Sequence, residues 1–258
     1  MRLIKDLYAY REMIASLVRR DLRGRYKGSV LGFAWTFLNP IFQLAIYTMV
    51  FSVILRSGIE DYYLHLFVAL VPWIFFSSCI SAGAGCIRSQ GDMIKKIYFP
   101  REVIPLSFVT SQFINMLLSM IIVFAAVLIG GKPMNIQAYL CLPLIMIVEY
   151  VMALGMTFLV SAISVFYKDV EYFMGIIAMA WQFMTPIMYG IEIVPPSYLP
   201  LLSLNPMTFV IVSYREILYY GRVPEVKTLM GAVIFGVLIL FLGIKVFGKM
   251  QRHFAEEL

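Results

Sequence analysis

Side chains that commonly carry enzyme chemistry are sparse in this 258-residue chain. The two histidines, His65 and His253, are far apart, and no GxxxxGK(S/T), GxSxG or HExxH pattern occurs. Cys79, Cys86 and Cys141 lie in apolar stretches without CxxC spacing, which is typical of cysteines that pack as small hydrophobic residues. The sequence therefore predicts no catalytic residue, no metal site, no disulfide bond and no cofactor bound by this chain.

Glu149 is the one ionisable side chain deep within a long apolar stretch. Placing a charged group at the centre of a bilayer costs about 2.5 to 3.5 kcal/mol on insertion scales, so the carboxyl group is expected to face protein or water. A structural hydrogen bond to another helix is the favoured interpretation of this intramembrane carboxylate. Proton coupling is the alternative.

The composition indicates an integral membrane protein. Hydrophobic residues make up 61% of the chain and charged residues 14%, whereas soluble domains average about 25% charged residues. The formal net charge of +6 resides mostly in loops beside apolar stretches, where cations orient a membrane chain, so nucleic acid is not expected as a partner. No signal peptide is recognisable, and the first spanning helix is expected to be its own insertion signal.

A strongly basic segment runs directly into the first apolar stretch. Residues 1–28 place apolar side chains near helical spacing, which predicts an amphipathic helix on the cytoplasmic membrane surface, with a solvated basic tail as the alternative. Each cation near an anionic lipid surface contributes about 1 kcal/mol of attraction. The cations of this predicted interface helix are Arg19, Arg20, Arg23, Arg25 and Lys27.

The predicted fold is an all-α membrane domain with six transmembrane helices, because six apolar stretches reach roughly the 20 residues that cross a bilayer. The predicted spans are 30–55, 64–86, 105–129, 139–166, 172–191 and 228–247. Residues 87–104 are predicted as a cytoplasmic loop. Lys and Arg number 16 in the proposed inner segments and five in the outer ones, which predicts that both termini are cytoplasmic.

Residues 193–227 differ from the other loops because they are largely apolar and yet contain five prolines, which exclude one continuous spanning helix. Two short helices, at 198–203 and 206–219, are predicted to dip into the outer leaflet and return. Non-helical backbone at that depth is tolerated only where protein or a water-filled cavity covers it, so a re-entrant element at an external mouth is expected. Within it, Asn205, Arg215 and Glu216 are candidates for an external gate, or the two charges mark where the segment surfaces.

Five segments of the sequence, together with six spans, point to one family. The segments are RGRYKGSVLGFAWTFLNP (23–40), IKKIYFPREVIPLS (94–107), SVFYKDVEYF (164–173), TPIMYG (185–190) and LNPMTFVIVSYREILYYG (204–221). In this order they resemble the ABC-2-type permeases, and most closely the branch that exports O-antigens, capsules and teichoic acids on lipid carriers. The resemblance covers essentially the whole chain.

The resemblance implies a homodimer in which each subunit docks on a cytoplasmic ABC ATPase, so that two ATPase copies bind ATP and Mg²⁺ outside this chain. The expected function is export of a lipid-linked cell-envelope polysaccharide across the bacterial cytoplasmic (inner) membrane, through a channel between the subunits. An exporter of small hydrophobic compounds or drugs is one alternative. A membrane scaffold for glycan synthesis without transport is another.

Residues 92–99 resemble the family's coupling helix, and Pro100 is expected to end it because the residue before proline avoids the helical region. The expected coupling residues are Asp92, Met93, Ile94, Lys95, Lys96, Tyr98 and Phe99. For the two lysines, the ordinary excess of cations in cytoplasmic loops is the alternative to ATPase contact. The cations of 19–27 are a further hypothesis, as a site for the pyrophosphate of a lipid-linked glycan.

The first and fifth predicted spans carry aromatic residues at helical spacing, and these spans line the pathway in the resembled family. Sugar rings stack on aromatic faces, so such a lining allows a glycan to slide without tight binding. The alternative is that these side chains pack on neighbouring helices or lie at the lipid interface. The candidate lining residues are Phe33, Phe37, Tyr47, Phe51, Trp181, Thr185 and Tyr189.

Overall fold

The computed structural model describes residues 7–25 and 27–258, and residues 1–6 of the predicted interface helix and Tyr26 lie outside the described residues. Helices joined by turns and loops make up the described part of the chain, with no strand among them. The main α-helices are α1 (Arg11–Gly24), α2 (Trp35–Thr48), α3 (Tyr62–Ser81), α4 (Gly91–Lys96), α5 (Val103–Ile129), α6 (Ile136–Phe166), α7 (Asp169–Met184), α8 (Leu199–Ser203), α9 (Pro206–Leu218), α10 (Val226–Met250) and α11 (Phe254–Glu257).

Five helical segments of the described chain are long and apolar enough to cross a membrane. They are Gly32–Ile54, Tyr62–Gly85, Val103–Ile129, Ile136–Phe166 and Val226–His253. The third and fourth are α5 and α6 themselves, and the others extend α2, α3 and α10 by short turns of tighter or wider helix. The all-helical membrane fold is thus confirmed for the described residues. The sixth predicted span, 172–191, stays a prediction.

The helix at the sixth predicted span, α7, is only 16 residues long. It begins at Asp169 and ends at Met184, because Thr185 is extended, with φ −101° and ψ 137°, ahead of Pro186. At 1.5 Å per residue, α7 spans about 24 Å, somewhat less than the roughly 30 Å hydrocarbon core of a bilayer. The helical part of this span therefore stops earlier than the apolar pattern predicts.

The helices bring the loops together at two opposite ends of the bundle. At one end, which we call the terminal end, Arg20 of α1 donates to Gln90 (2.8 Å) and Gln251 donates to Glu102 (2.7 Å). At the other, the loop end, Lys132 pairs with Asp61 at 2.8 Å. The three segments predicted as cytoplasmic, namely α1, 87–104 and the tail after α10, thus meet at one end.

α6 and α10 cross with their backbones in contact. A Cβ atom placed on Gly155 would lie 2.5 Å from the backbone nitrogen of Leu240, and one on Gly243 would meet the carbonyl oxygen of Gly155. Small residues permit this close approach, which is the usual way that membrane helices gain van der Waals contact. The two glycines therefore allow α6 and α10 to pack backbone against backbone.

The predicted helices at 198–203 and 206–219 correspond to α8 (Leu199–Ser203) and α9 (Pro206–Leu218). α9 begins where the Asn205 side chain accepts a hydrogen bond from the backbone N–H of Met207 (3.0 Å), with Pro206 at the first helical position. It packs against α3, α6 and α10, and Val210, Ile211 and Leu218 are fully buried. α9 is therefore a core element, while its re-entry into the membrane stays a prediction.

Candidate functional site

The apolar side of α1 is covered by protein. Ile14 and Leu17 pack against a cluster that contains Ile94 and Phe99 of the predicted coupling segment and the fully buried Phe254 of the C-terminal tail. The apolar stripe of the described part of this helix thus packs within the chain, and the position of residues 1–28 on the membrane surface stays a prediction. One apolar cluster at the terminal end connects α1, the coupling segment and the tail.

The five predicted headgroup cations divide into two groups. Arg19, Arg23 and Lys27 are exposed to solvent on the free side of α1. Arg20 is also exposed but is bound to Gln90, whereas Arg25 is half-buried and points into the bundle, where it pairs with Asp21 at 3.2 Å. Only part of the basic cluster is therefore free for a surface role.

The predicted coupling residues also divide, into anchors and exposed side chains. The helix α4 ends at Lys96, because the backbone of Ile97 is already extended, with φ −130° and ψ 136°. The helix therefore ends three residues before Phe99, where the prediction placed its end. Ile94 and Phe99 are buried and Met93 is half-buried, so they hold the segment to the bundle. The exposed set is Asp92, Lys95, Lys96, Ile97 and Tyr98, of which Tyr98 is 97% exposed.

Trp181, Thr185 and Asn205 form one hydrogen-bonded junction between α7 and α9. Trp181 Nε1 donates to Asn205 Oδ1 (2.8 Å), and Asn205 Nδ2 donates to Thr185 Oγ1 (2.9 Å). The Thr185 hydroxyl in turn donates to the Trp181 carbonyl oxygen (2.9 Å), and Thr185 is fully buried. Thr185 thus joins the two helices in this structure, and its role in lining a pathway stays a prediction.

The remaining lining candidates lie at several levels of the bundle. Phe33 and Phe37 contact each other edge to face near the start of α2, with ring centroids 5.5 Å apart. Near its end, Tyr47 accepts a hydrogen bond from Gln182 of α7 (3.3 Å), and Phe51 stacks on Tyr62. The structure thus joins α2 and α7 through Tyr47, but it does not gather the predicted aromatics into one surface. The last candidate, Tyr189, hydrogen-bonds the Phe183 carbonyl oxygen in the loop after α7.

Arg215 braces the segment that follows α7. Its guanidinium donates to the carbonyl oxygens of Ile187, Tyr189 (3.1 Å) and His65 (3.3 Å), and the residue is only 4% exposed. The bracing interpretation therefore fits Arg215, and the interpretation that it marks a surface point is wrong. Glu216, the next residue, is half-exposed and makes no comparable set of contacts among the described side chains.

Glu149 has the hydrogen-bond partner on another helix that its position predicts. The Tyr214 hydroxyl of α9 donates to Glu149 Oε2 at 2.7 Å, and both residues are fully buried. The second carboxyl oxygen, Oε1, has no hydrogen-bond partner within the chain. The structural hydrogen bond is thus confirmed. Proton coupling at Glu149 stays a prediction.

A polar stripe on α5 escaped the sequence prediction. Ser111, Asn115 and Ser119 recur every four residues within an apolar span, a signal that was present in the sequence. Ser119 Oγ donates to the Thr36 carbonyl oxygen (3.1 Å), which lacks its usual helical donor because Pro40, four residues on, has no N–H. The stripe therefore joins α5 to α1 and α2 through side-chain hydrogen bonds.

No group of three or more His, Cys, Asp or Glu side chains in the described part of the chain could hold a metal ion. What the arrangement offers instead is a helical bundle with a connected terminal end, a braced loop end and two exposed helices, α2 and α7.

Comparison with known proteins identifies the chain's relatives. The ABC-2 type transporter family model matches residues 12–219. The O-antigen export system permease protein RfbA of Myxococcus xanthus is 32% identical over 260 residues, covering 100% of both chains. RfbA of Klebsiella pneumoniae is 29% identical, covering 96% of this chain and 95% of the relative, and the polysialic acid transport protein KpsM of Escherichia coli is 22% identical, covering 93% of each.

Proposed function

The chain belongs to the ABC-2 type transporter family, and we propose that it is the permease subunit of an exporter for a lipid-linked cell-envelope polysaccharide in the bacterial cytoplasmic membrane. The observation that carries this proposal is its end-to-end similarity to a permease named for O-antigen export. The division of labour is that of ABC transporters: this chain provides the pathway, and a separate ATPase subunit binds ATP and Mg²⁺.

We place the ATPase at the terminal end. The exposed Lys95, Lys96, Ile97 and Tyr98 combine cationic and apolar groups on a short segment that Ile94 and Phe99 hold to the bundle. An aromatic side chain that protrudes from an anchored segment is the usual form of a binding hot spot. Because the same apolar cluster holds α1 and the C-terminal tail, a displacement of this segment is transmitted to α5, α6 and α10.

Two copies of the chain are expected to pack through α2 and α7. Both helices expose long apolar faces, with Phe42 and Ile46 on α2 and Phe173 and Ile176 on α7 exposed by about half or more. A symmetric homodimer covers these faces and leaves a pathway between the copies. The terminal end then faces the cytoplasm, in keeping with the excess of cations in its segments.

The proposed function is tested by deleting the gene and restoring it with either an active or a hydrolysis-dead ATPase. Loss of surface polysaccharide, with accumulation of full-length lipid-linked polymer inside the cell in both defective strains, is the expected result. An unchanged surface with altered drug sensitivity would favour export of small hydrophobic compounds. Absence of polymer everywhere would favour the scaffold.

A matched pair of variants tests the docking segment by co-purification of the ATPase with the permease. Tyr98→Ala removes an exposed aromatic at the terminal end, and Tyr198→Ala removes an exposed tyrosine at the loop end. Loss of a hot-spot aromatic costs about 2 kcal/mol, so Tyr98→Ala is expected to weaken co-purification of the ATPase by about 30-fold. Tyr198→Ala should leave it unchanged, and equal effects of both variants would contradict the placement of the ATPase.

A further inference from the structure

Two cavities meet at Arg25. The first, which we call the inner cavity, has a volume of about 250 Å³ and lies between α2, α3 and α5. The second, the vestibule, has a volume of about 680 Å³ and lies between α1, the end of α3 and α5. Arg25 lines both, so its side chain separates a space open to the terminal end from one deeper in the bundle.

The inner cavity has an unusual lining for a space among membrane helices. Arg25 is the one charged side chain among the described residues that line it, and amides and hydroxyls supply most of the remaining polar groups. Its polar residues include Thr36, Asn39, Ser78, Gln112, Asn115 and Ser119. The vestibule, by contrast, balances Arg20 and Arg25 with Asp21 and Glu171. A cation with surrounding hydrogen-bond donors and no carboxylate favours an anionic ligand in the inner cavity.

The guanidinium of Arg25 presents one edge to each space. Its Nε and Nη2 atoms face Asp21 Oδ2, at 3.4 and 3.2 Å, and Asp21 lines only the vestibule. Its Nη1 atom donates to Gln112 Oε1 at 3.0 Å, and Gln112, only 7% exposed, lines only the inner cavity. Ser111 of α5 donates to Asp21, which holds the carboxylate in place. Asp21 is therefore the counter-charge that positions Arg25 when no anion is bound.

The depth of the inner cavity suits the head of an amphiphile. Gln112 lies nine residues after the start of α5, about 14 Å along the helix from the terminal end. Leu31 and Phe33 lie in the turn just before α2 and are about half exposed. They offer apolar surface close to the polar cavity. A molecule with an anionic head and an apolar chain matches this arrangement better than a free inorganic anion.

We propose that the inner cavity binds the phosphate group of a lipid headgroup, with Arg25 as the cation and Gln112 as a neighbouring donor. Arginine suits this role because its planar fork meets two phosphoryl oxygens at once. The binding phosphate competes with Asp21 for the guanidinium. Where the phosphate belongs to the lipid carrier of a polysaccharide, the assignment rests on the proposed function; a membrane phospholipid is the other source.

Trp35 lines the inner cavity and makes binding measurable in the purified chain. In dodecyl maltoside micelles, which carry no phosphate, a polyprenyl diphosphate is expected to change tryptophan fluorescence, and Trp35→Phe should abolish that change. Arg25→Gln should weaken binding at least tenfold, whereas Arg11→Gln, at the exposed first residue of the same helix, should change it less than twofold. Asp21→Asn keeps an acceptor for Ser111 and removes the competing charge, so it should strengthen binding several-fold.

Two further probes separate the possible sources and the competing explanations. If phosphatidylglycerol binds as tightly as the polyprenyl diphosphate, the phosphate site stands and its source is the membrane lipid. Equal binding of an uncharged polyprenol, or equal losses in the Arg25→Gln and Arg11→Gln variants, would overturn the proposal. A folding defect would weaken binding, so it cannot account for the stronger binding that is expected of the Asp21→Asn variant. If the proposed function is wrong, deletion of the gene leaves the surface polysaccharide unchanged, whereas phosphate binding by the purified chain is unaffected.

Discussion

Two consecutive apolar segments, Gly32–Ile54 and Tyr62–Gly85, have nearly the same length and hydropathy but differ widely in burial. They contain 23 and 24 residues and have mean hydropathies of 1.7 and 1.9. Yet only 6% of the most apolar stretch of the first is buried, against 72% for the second. Hydropathy thus reports suitability for a bilayer, because lipid tails and protein interiors are equally apolar. It does not report which helix lies at the centre.

The difference follows from what surrounds each helix. α3 contacts α2, α5, α6, α7 and α9, so it has protein on every side. α2 packs mainly on α3 and α5, and its other face is left for lipid or for a second copy of the chain. We therefore expect substitutions in the central helices to affect folding. Those on α2 and α7 should affect assembly and transport instead.

The largest effect is expected where two backbones touch. Gly155→Ala places a methyl group against the backbone of α10, which no rotamer change relieves, so the α6–α10 crossing should open and folded protein should be lost. Gly175 of α7 has no atom within 4 Å of an added Cβ, and Gly175→Ala should be neutral or slightly stabilising. The yield of monodisperse protein and its thermal unfolding midpoint measure both. Equal tolerance of the two changes would contradict the close crossing.

A smaller effect is expected from two phenylalanines in the compared helices. Phe76 of α3 is fully buried and meets Trp181 edge to face at 5.3 Å, whereas Phe42 of α2 is 54% exposed. In lipid the loss is mainly van der Waals contact and a cavity, so Phe76→Ala should cost about 2 to 3 kcal/mol of unfolding free energy. Phe42→Ala should cost under about 0.5 kcal/mol in the monomer. A large loss for Phe42→Ala would mean that α2 is buried within one chain.

The smallest effect is expected at the buried carboxyl group. Tyr214→Phe removes the donor to Glu149 and leaves a polar group unpaired, which should cost about 1 to 3 kcal/mol in thermal stability. Glu149→Gln keeps an acceptor for the tyrosine hydroxyl and should cost less. If the carboxyl group is structural, export by Glu149→Gln is unchanged. A loss of export in a stably folded Glu149→Gln variant would instead favour proton coupling.

Much of the architecture follows from local sequence. Long uncharged stretches specify helices because every backbone polar group must be satisfied internally in lipid. The prolines of 193–227 divide that segment into α8 and α9 close to the predicted limits, because proline lacks an N–H. Glu149 could be expected to need a partner from its position alone, because a buried charge without one is costly.

Other features depend on residues that are distant in the sequence. Thr185 is fully buried and Trp181, four residues earlier, is half-buried, and no local pattern in the sequence distinguishes them. Both side chains are hydrogen-bonded to Asn205, which is 20 or more residues away in the sequence. The three carbonyl oxygens that hold Arg215 come from two separate segments. Likewise the apolar stripe of α1 is equally suited to lipid and to the cluster around Phe254.

Local sequence is enough to indicate that this chain is a multi-helix membrane protein, where its helices are broken and which family it resembles. Hydropathy, proline and charge act locally, so they can be recognised in one dimension. The packed structure is needed to show which helix is central, that Arg25 lies between two cavities, and that Tyr214 donates a hydrogen bond to Glu149. Burial and hydrogen-bond pairing are properties of contacts between distant segments, and those contacts exist only once the helices have packed.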